Sequence, residues 1–309
     1  LAQNRAEILR LTKRDTAATW SDFAEPLENA NERLWRAWGA VAHLHAVDDN
    51  APMRDAYNDN LPKVTRYRTE LEQNLDLYEK FKALRAPSEF DSLPRARRKI
   101  VENALRDFRL GGAELERENK LRFAQIQEEL AALEAKFSEN VLDATNAFSL
   151  TVTERAELTG IPQDVLQAAA EAARKEGRDG WKFTLHAPSL GPLMKYADNR
   201  GLRESFYREH VTRASEFGKA ELDNTSIIKR LLELRNEKAQ LLGYRSFAEY
   251  SLVPKMADSP KAAIDFLEDL AARARPHARR DYAELESFAR AELKLDRLEA
   301  WDIAFASER

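Results

Sequence analysis

The longest apolar repeat of the sequence recurs at spacings of three and four residues. It comprises Ile126, Leu130, Leu133, Phe137, Val141, Ala144 and Phe148. Residues at these spacings lie on one face of an α-helix, so the repeat predicts a single helix of about 30 residues, roughly 45 Å long. A helix of this length exceeds what a compact bundle usually needs. The chain is therefore expected to form an elongated, mainly α-helical body.

The same period predicts helices along most of the remaining chain. One of about six turns follows Ser21, which is expected to serve as its N-cap. Further helices are predicted in residues 61–78, 92–112 and 225–243, where glycines close the last two. Another begins at Ser259 and Pro260. Pro276 should kink or break this last helix, because a proline inside a helix removes one hydrogen bond and clashes with the preceding turn.

Two short segments follow a period of two residues instead. The alternating apolar positions are Phe148, Leu150 and Val152 in the first segment and Trp181, Phe183 and Leu185 in the second. This alternation predicts two half-buried strands. Between them, an Ala-rich helix follows Gly160-Ile161-Pro162, so the segments form a strand–helix–strand insert.

These patterns divide the chain into three parts. Residues 1–146 are expected to form an N-terminal helical lobe, residues 147–187 the insert, and residues 188–309 a second helical segment. The predicted fold class is mainly α, an elongated multi-helix lobe with a small strand–helix–strand insert.

The composition excludes several classes of function. With 49 basic and 53 acidic residues the net charge is −4, which gives no overall attraction to nucleic acid or anionic lipid. The sequence contains no cysteine, which excludes a disulfide scaffold and Cys-ligated zinc. No apolar run approaches the roughly 20 residues that span a bilayer, and the charged start is not a signal peptide. We expect a cytoplasmic protein that binds neither nucleic acid nor membrane.

The histidines form no metal-binding motif. None of the five is followed by Glu, so the chain has no His-Glu-x-x-His zinc helix. His43 and His45 are two residues apart on a predicted helix and point to nearly opposite faces, which makes them a poor pair of ligands.

Charged groups are also better explained by a solvated helix surface. Asp265, Glu268 and Asp269 are expected to lie opposite an apolar stripe that contains Ala263, Leu267 and Leu270. The basic runs at residues 95–99 and 273–280 could bind phosphate or an acidic partner, but they lack interleaved aromatic residues. The sequence patterns therefore assign no catalytic, cofactor-binding or metal-binding residue in this chain.

Several segments, in order along the chain, nevertheless resemble one enzyme family. They are residues 98–112 (RKIVENALRDFRLGG), 137–148 (FSENVLDATNAF), 156–162 (AELTGIP), 196–210 (YADNRGLRESFYREH), 212–218 (TRASEFG), 234–257 (LRNEKAQLLGYRSFAEYSLVPKMA) and 272–278 (ARARPHA). Together they identify the chain as a member of the thimet oligopeptidase family of zinc metallopeptidases.

The resemblance implies roles for a few residues of this chain. Gly243 is expected to end a helix with a left-handed backbone. The residues expected to pack that corner into the core are Leu241, Leu242, Tyr244, Phe247 and Tyr250. Trp301 and Asp302 match a family segment and are expected to be structural. Phe305 and Ala306 stand where that segment carries two tyrosines, so no role is carried over to them.

What the family implies for the whole chain is a substrate-restricting wall. Members bind zinc through residues of their second half, so this chain is expected to be the N-terminal half. It is expected to form part of the channel for short unfolded peptides. Without the missing C-terminal catalytic half it is expected to be inactive. Two alternatives remain open. One is a stand-alone helical adaptor that keeps the fold without catalysis, and the other is a nucleic-acid-binding protein that uses the two basic runs.

Overall fold

A computed structural model describes residues 1–13 and 15–309 and is dominated by helices. In chain order these are α1 (Ala2–Leu11), α2 (Glu25–Val47), α3 (Ala51–Glu72), α4 (Leu75–Leu84), α5 (Pro87–Phe90), α6 (Arg95–Leu110), α7 (Arg117–Ala147), α8 (Gln163–Lys175), α9 (Ala187–Tyr196), α10 (Arg200–Thr212), α11 (Thr225–Leu241), α12 (Phe247–Leu252), α13 (Pro260–Ala291) and α14 (Ile303–Glu308). Two strands, β1 (Ser149–Val152) and β2 (Trp181–Thr184), form a small sheet. The mainly α fold class with a strand–helix–strand insert is thus confirmed.

The long helix expected from the 126–148 repeat is present as α7, which has 31 residues. The insert also follows the prediction, because both strands are present and α8 lies between them in the chain. The structure adds that β1 pairs with β2 in antiparallel register. Leu150 faces Phe183 across the sheet. Gly180 precedes β2 with a φ of +101°, and a Cβ there would lie 2.4 Å from the carbonyl oxygen of Val152. Only glycine fits this approach between the strands.

The chain separates into two compact units. The first comprises Leu1–Ala135 and Arg230–Met256, and the second comprises Lys136–Lys229 and Ala257–Arg309. The core of the first unit is rich in aromatic residues, with the rings of Phe23 and Phe81 edge to face at 4.9 Å between centroids. In the second unit, side chains of the sheet, α8, α9 and α10 share a core centred on Phe206.

Two local predictions were wrong, each for a physical reason, and of the kink or break expected at Pro276 the break does not occur. The N-cap before α2 is Thr19 rather than Ser21, since the Thr19 hydroxyl accepts from the Asp22 amide at 3.1 Å and opens a short π-helix, Trp20–Ala24. Residues 61–78 do not form one helix, because the Asn74 side chain caps α4 by accepting from the Leu77 amide at 3.0 Å. Finally, α13 continues through Pro276. The helix is exposed there, so water can satisfy the carbonyl that the proline leaves unpaired.

Candidate functional site

The clearest candidate for a functional surface is the apolar face of α13. The cap expected at Ser259 is present, because its Oγ accepts from the Ala262 amide at 3.0 Å. The helix has 32 residues, so it is about 48 Å long. Small or apolar residues share one face along this length: Ile264, Leu267, Leu270, Ala271, Ala274, Ala278, Tyr282, Leu285 and Ala289.

The two ends of this face have different surroundings. Near the C-terminus, Ala289 is fully buried and Leu285 packs beside it, in a cluster with Leu298 and Ala306. Toward the N-terminus, Leu267 is 59% exposed and Leu270 is 51% exposed. Helices in water gain most of their stability by packing an apolar face against another element. The N-terminal six turns of α13 therefore present an apolar face that the described residues leave in solvent.

The opposite face of α13 is polar, as the sequence indicates. Lys261 pairs with Asp265, and Arg273 pairs with Asp269, each one helical turn apart on the exposed surface. These pairs confirm that the acidic residues belong to a solvated helix face. The apolar stripe on the other side of the helix is exposed as well, with Leu267 and Leu270 more than half exposed.

A second candidate lies at the corner formed by α11 and α12, within the 234–257 segment that resembles the family. Gly243 has a φ of +81°, which confirms the left-handed turn after α11. The aromatic residues of the corner pack mainly on one another, with the Tyr244 and Tyr250 rings 5.7 Å apart and Phe247 at the same distance from Tyr250. All are half-buried rather than in the core, because α12 is short and lies at the surface.

Sequence patterns did not single out Lys238, which lies against this corner. Its Nζ is 4.9 Å from the ring centroid of Tyr250 and 5.4 Å from that of Phe123. Burial lowers the pKa of Lys238 to about 8, and the nearby Glu72 carboxylate offsets this only in part. Burial also raises the pKa of Tyr250 to about 12. A lysine with such a pKa is partly neutral near pH 8 and has the chemistry of a base or nucleophile.

We expect Lys238→Met to stabilise the chain at pH 7 by about 1–2 kcal/mol, after allowance for partial solvent exposure. The folded pKa lies below the unfolded value, so charging Lys238 opposes folding at neutral pH, and this cost disappears as pH rises from about 8 to about 10.5. Urea unfolding of both proteins between pH 7 and pH 10 should show the difference closing. The exposed Lys229→Met serves as control, and a difference that does not change with pH would contradict the assignment.

The predicted structural role of Asp302 agrees with its contacts. Asp302 is fully buried and accepts hydrogen bonds from Nη2 of Arg200 at 2.6 Å and from Nη2 of Arg203 at 2.8 Å. Arg203 is itself only 1% exposed, and its guanidinium lies 3.9 Å from the ring centroid of Phe305. Its Nη1 also donates to the carbonyl of Ala197 at 2.6 Å. These contacts tie the start of α10 to the C-terminal segment within the second unit.

Among residues 1–13 and 15–309, no group of three or more His, Asp or Glu side chains is placed to hold a metal ion. His45 is half-buried, stacked on Tyr57 at 4.0 Å between ring centroids, with its Nε2 3.6 Å from Asp49. His43 is exposed instead. The two side chains therefore lie in different surroundings.

The two basic runs lie on helix surfaces. In α6, the guanidinium of Arg97 lies 4.8 Å from the ring centroid of Trp20, whereas Arg95, Arg98 and Lys99 are not buried. Residues 273–280 are exposed along α13. Among the helices of the described chain, none combines the length and the hydropathy needed to cross a membrane.

Comparison with known proteins shows similarity along most of the chain. The sequence model of the neurolysin/thimet oligopeptidase N-terminal domain matches residues 1–120, and that of peptidase family M3 matches residues 193–309. The chain is 41% identical to oligopeptidase A of Haemophilus influenzae, over 94% of this chain and 43% of that protein. It is 40% identical to oligopeptidase A of Escherichia coli, over 99% of this chain and 45% of that protein. It is also 40% identical to a probable cytosolic oligopeptidase A of Arabidopsis thaliana, over 100% of this chain and 45% of that protein. The chain thus spans less than half the length of these relatives.

Proposed function

Since the chain belongs to the M3 family of peptidases, we propose that it forms the N-terminal, substrate-restricting part of an oligopeptidase A-like zinc metallopeptidase. Similarity to oligopeptidase A proteins extends over nearly the entire chain at about 40% identity. The matched region makes up less than half of each of these relatives. The substrates proposed are short unfolded peptides, and the proposed compartment is the cytoplasm, which agrees with the cytosolic name of the Arabidopsis relative.

The observation that carries the proposal is the exposed apolar face of α13. An element of this length with Leu267 and Leu270 more than half exposed is typical of one part of a larger folded unit. We propose that the C-terminal portion of an M3 peptidase packs on this face. The partner is thus a further part of the same kind of enzyme, and the chain by itself supplies one wall of the peptide channel.

Zinc does not fit the described residues of this chain. His45 has one carboxylate nearby, but a zinc site in a peptidase needs three protein ligands around one point. We therefore place the ligands in the C-terminal portion and assign no catalytic step to residues of this chain.

The proposal is tested by peptide hydrolysis. We define the extended chain as this chain continued by the C-terminal portion of the Haemophilus influenzae relative, beyond the region that it matches. With added zinc, the chain alone should leave a short fluorogenic peptide intact, and the extended chain should cleave it in a manner that a chelator abolishes. Hydrolysis by the chain alone would contradict the proposal. An extended chain that folds but does not cleave would favour the adaptor alternative.

A further inference from the structure

A cleft in the first unit shares Glu72 with the surroundings of Lys238. It is formed by α2, α3, α4 and α6 and has a volume of about 420 Å³. Clefts of roughly 300–1,000 Å³ are the size that usually holds small ligands. The chemistry of its lining can therefore be examined as that of a binding site.

The floor of the cleft is apolar. Leu27, Phe81 and Phe108 line it and are buried in the core of the first unit, while Trp35 and Leu71 are half-buried. Such a floor favours an apolar or aromatic side chain of a ligand, because covering it removes apolar surface from water.

The rim of the cleft is acidic. Four carboxylates line it, against the single guanidinium of Arg68: Glu28, Glu32, Glu72 and Asp107. Three of the carboxylates are paired, Glu32 with Arg36, Glu72 with Arg68, and Asp107 with Arg106.

Glu28 differs from the other three acids. Glu28 is exposed at the rim, and no cationic partner for it exists among the described residues. Neighbouring protein atoms still remove part of its hydration, which raises the pKa of Glu28. A cation placed beside this carboxylate would replace the lost hydration, so the rim favours a positively charged ligand.

A buried amide provides an independent indication of a ligand. Asn31 lines the cleft and is only 7% exposed. Its Oδ1 accepts from the Tyr67 hydroxyl at 2.7 Å and from Asn4 Nδ2 at 3.5 Å. Its own Nδ2 has no acceptor within the described part of the chain. The Nδ2 atom is not among the buried unpaired polar atoms, so it is open to the cleft and Asn31 retains a donor for a carbonyl that enters there.

We propose that this cleft binds a short cationic peptide segment, with an apolar side chain on the floor, a positive charge beside Glu28 and a peptide carbonyl at Asn31. A simple polyamine has the charge but offers neither an acceptor for Asn31 nor a side chain for the floor, which favours a peptide. The positive charge can come from an α-amino group or from a Lys or Arg side chain. The site belongs to the first unit and does not depend on catalysis by the complete enzyme.

Calorimetric titration of the 309-residue chain tests this proposal. The probe is the tripeptide Leu-Phe-Lys amide, compared with its N-acetylated form, with Leu-Phe-Gln amide and with the uncharged N-acetylated Leu-Phe-Gln amide. We expect the uncharged peptide to bind at least about tenfold more weakly than the probe, and the two singly charged peptides to identify which cation is used. Equal affinity of the charged and uncharged peptides, or no binding of the probe at millimolar concentration, would overturn the proposal.

The matched variants are Glu28→Gln and Glu25→Gln, which change carboxylates in the first two turns of the same helix. Glu28→Gln should weaken binding of the probe about tenfold, whereas Glu25→Gln should leave it unchanged, because Glu25 lies outside the cleft and faces Arg97. Glu28 is at the surface of the cleft wall, so its variant is expected to fold, which circular dichroism verifies. Equal affinities for the two variants would contradict the proposal. Since the readout is binding without hydrolysis, its failure is distinguishable from failure of the peptidase assignment.

Discussion

We expect Asp302→Asn to lower the free energy of unfolding of the second unit by about 3 kcal/mol. The substitution preserves the shape of the side chain but removes the charge that compensates Arg203, which is 1% exposed. Removing one partner of a buried ion pair typically costs roughly 3–5 kcal/mol, because the remaining charge stays desolvated. The Arg200 side chain is 43% exposed and can be solvated by water, so we place the expected loss at the lower end.

Hydrogen exchange of the α10 amides is the appropriate measurement, since two units need not unfold together. Asp265→Asn is the control, because it breaks only an exposed pair with Lys261 and should change exchange little. The double variant Asp302→Leu with Arg203→Met removes both buried charges and should recover most of the loss. If Asp302→Asn and Asp265→Asn had equal effects, the buried network would not hold this unit together.

The contribution of Asp302 should also depend on pH. Burial alone raises the pKa of Asp302, but hydrogen bonds from Arg200 and Arg203 outweigh it, and the net pKa lies below the ordinary value. A carboxyl with a depressed folded pKa stabilises the fold above its unfolded pKa and loses that contribution as pH falls through the folded pKa. The difference in the free energy of unfolding between the unsubstituted chain and Asp302→Asn should therefore have its full size at pH 6 and decrease below about pH 4.

The second large effect concerns α13. We expect the double substitution Leu267→Asp and Leu270→Asp to leave the stability of the chain alone almost unchanged, because both side chains are already more than half exposed. In the extended chain the same residues are proposed to be buried. The substitution then removes the burial of two leucine side chains and desolvates two carboxylates. The free energy of unfolding of the extended chain should therefore fall by about 4 kcal/mol or more.

Ala272→Asp is the matched control for this pair. Ala272 is exposed on the opposite face of α13. Its substitution by Asp also introduces a carboxylate in place of an apolar side chain on the same helix, but outside the apolar face. Urea unfolding of the extended chain should separate the two, with a large loss for the double variant and a small one for the control. Similar losses for both would mean that the apolar face is not an interface.

Local structure in this chain is largely predictable from sequence, because local interactions determine it. The repeat from Ile126 to Phe148 sets the apolar face of α7, and Ser259 caps α13 through a hydrogen bond to a residue three positions on. The two alternating segments predict the strands β1 and β2, but their antiparallel pairing is known only from the structure. The mainly α fold class was accessible in this way, whereas the family was recognised from the resemblance of several segments in order along the chain.

Sequence patterns missed two kinds of feature. In the first, two local signals compete, and in the second, the residues in contact are far apart in the chain. The apolar series of residues 61–78 continues across a helix end, and the Asn74 cap outweighs it. The partners of Asp302 lie about a hundred positions away, so no local pattern reveals that Arg203 is buried beside it. Lys238 looks like an ordinary helix lysine until Phe123 and Tyr250 are placed around it. The exposure of Leu267 is equally invisible to a pattern that predicts only a helix with an apolar face.

The central claim is that the N-terminal turns of α13 are completed by the C-terminal portion of an M3 peptidase. Hydrogen–deuterium exchange of residues 260–284, measured in the chain alone and in the extended chain, tests it most directly. We predict rapid exchange in the chain alone, because these turns have little tertiary packing, and exchange at least about 100-fold slower in the extended chain. Equal exchange in the two proteins, with the extended chain folded, would contradict the claim.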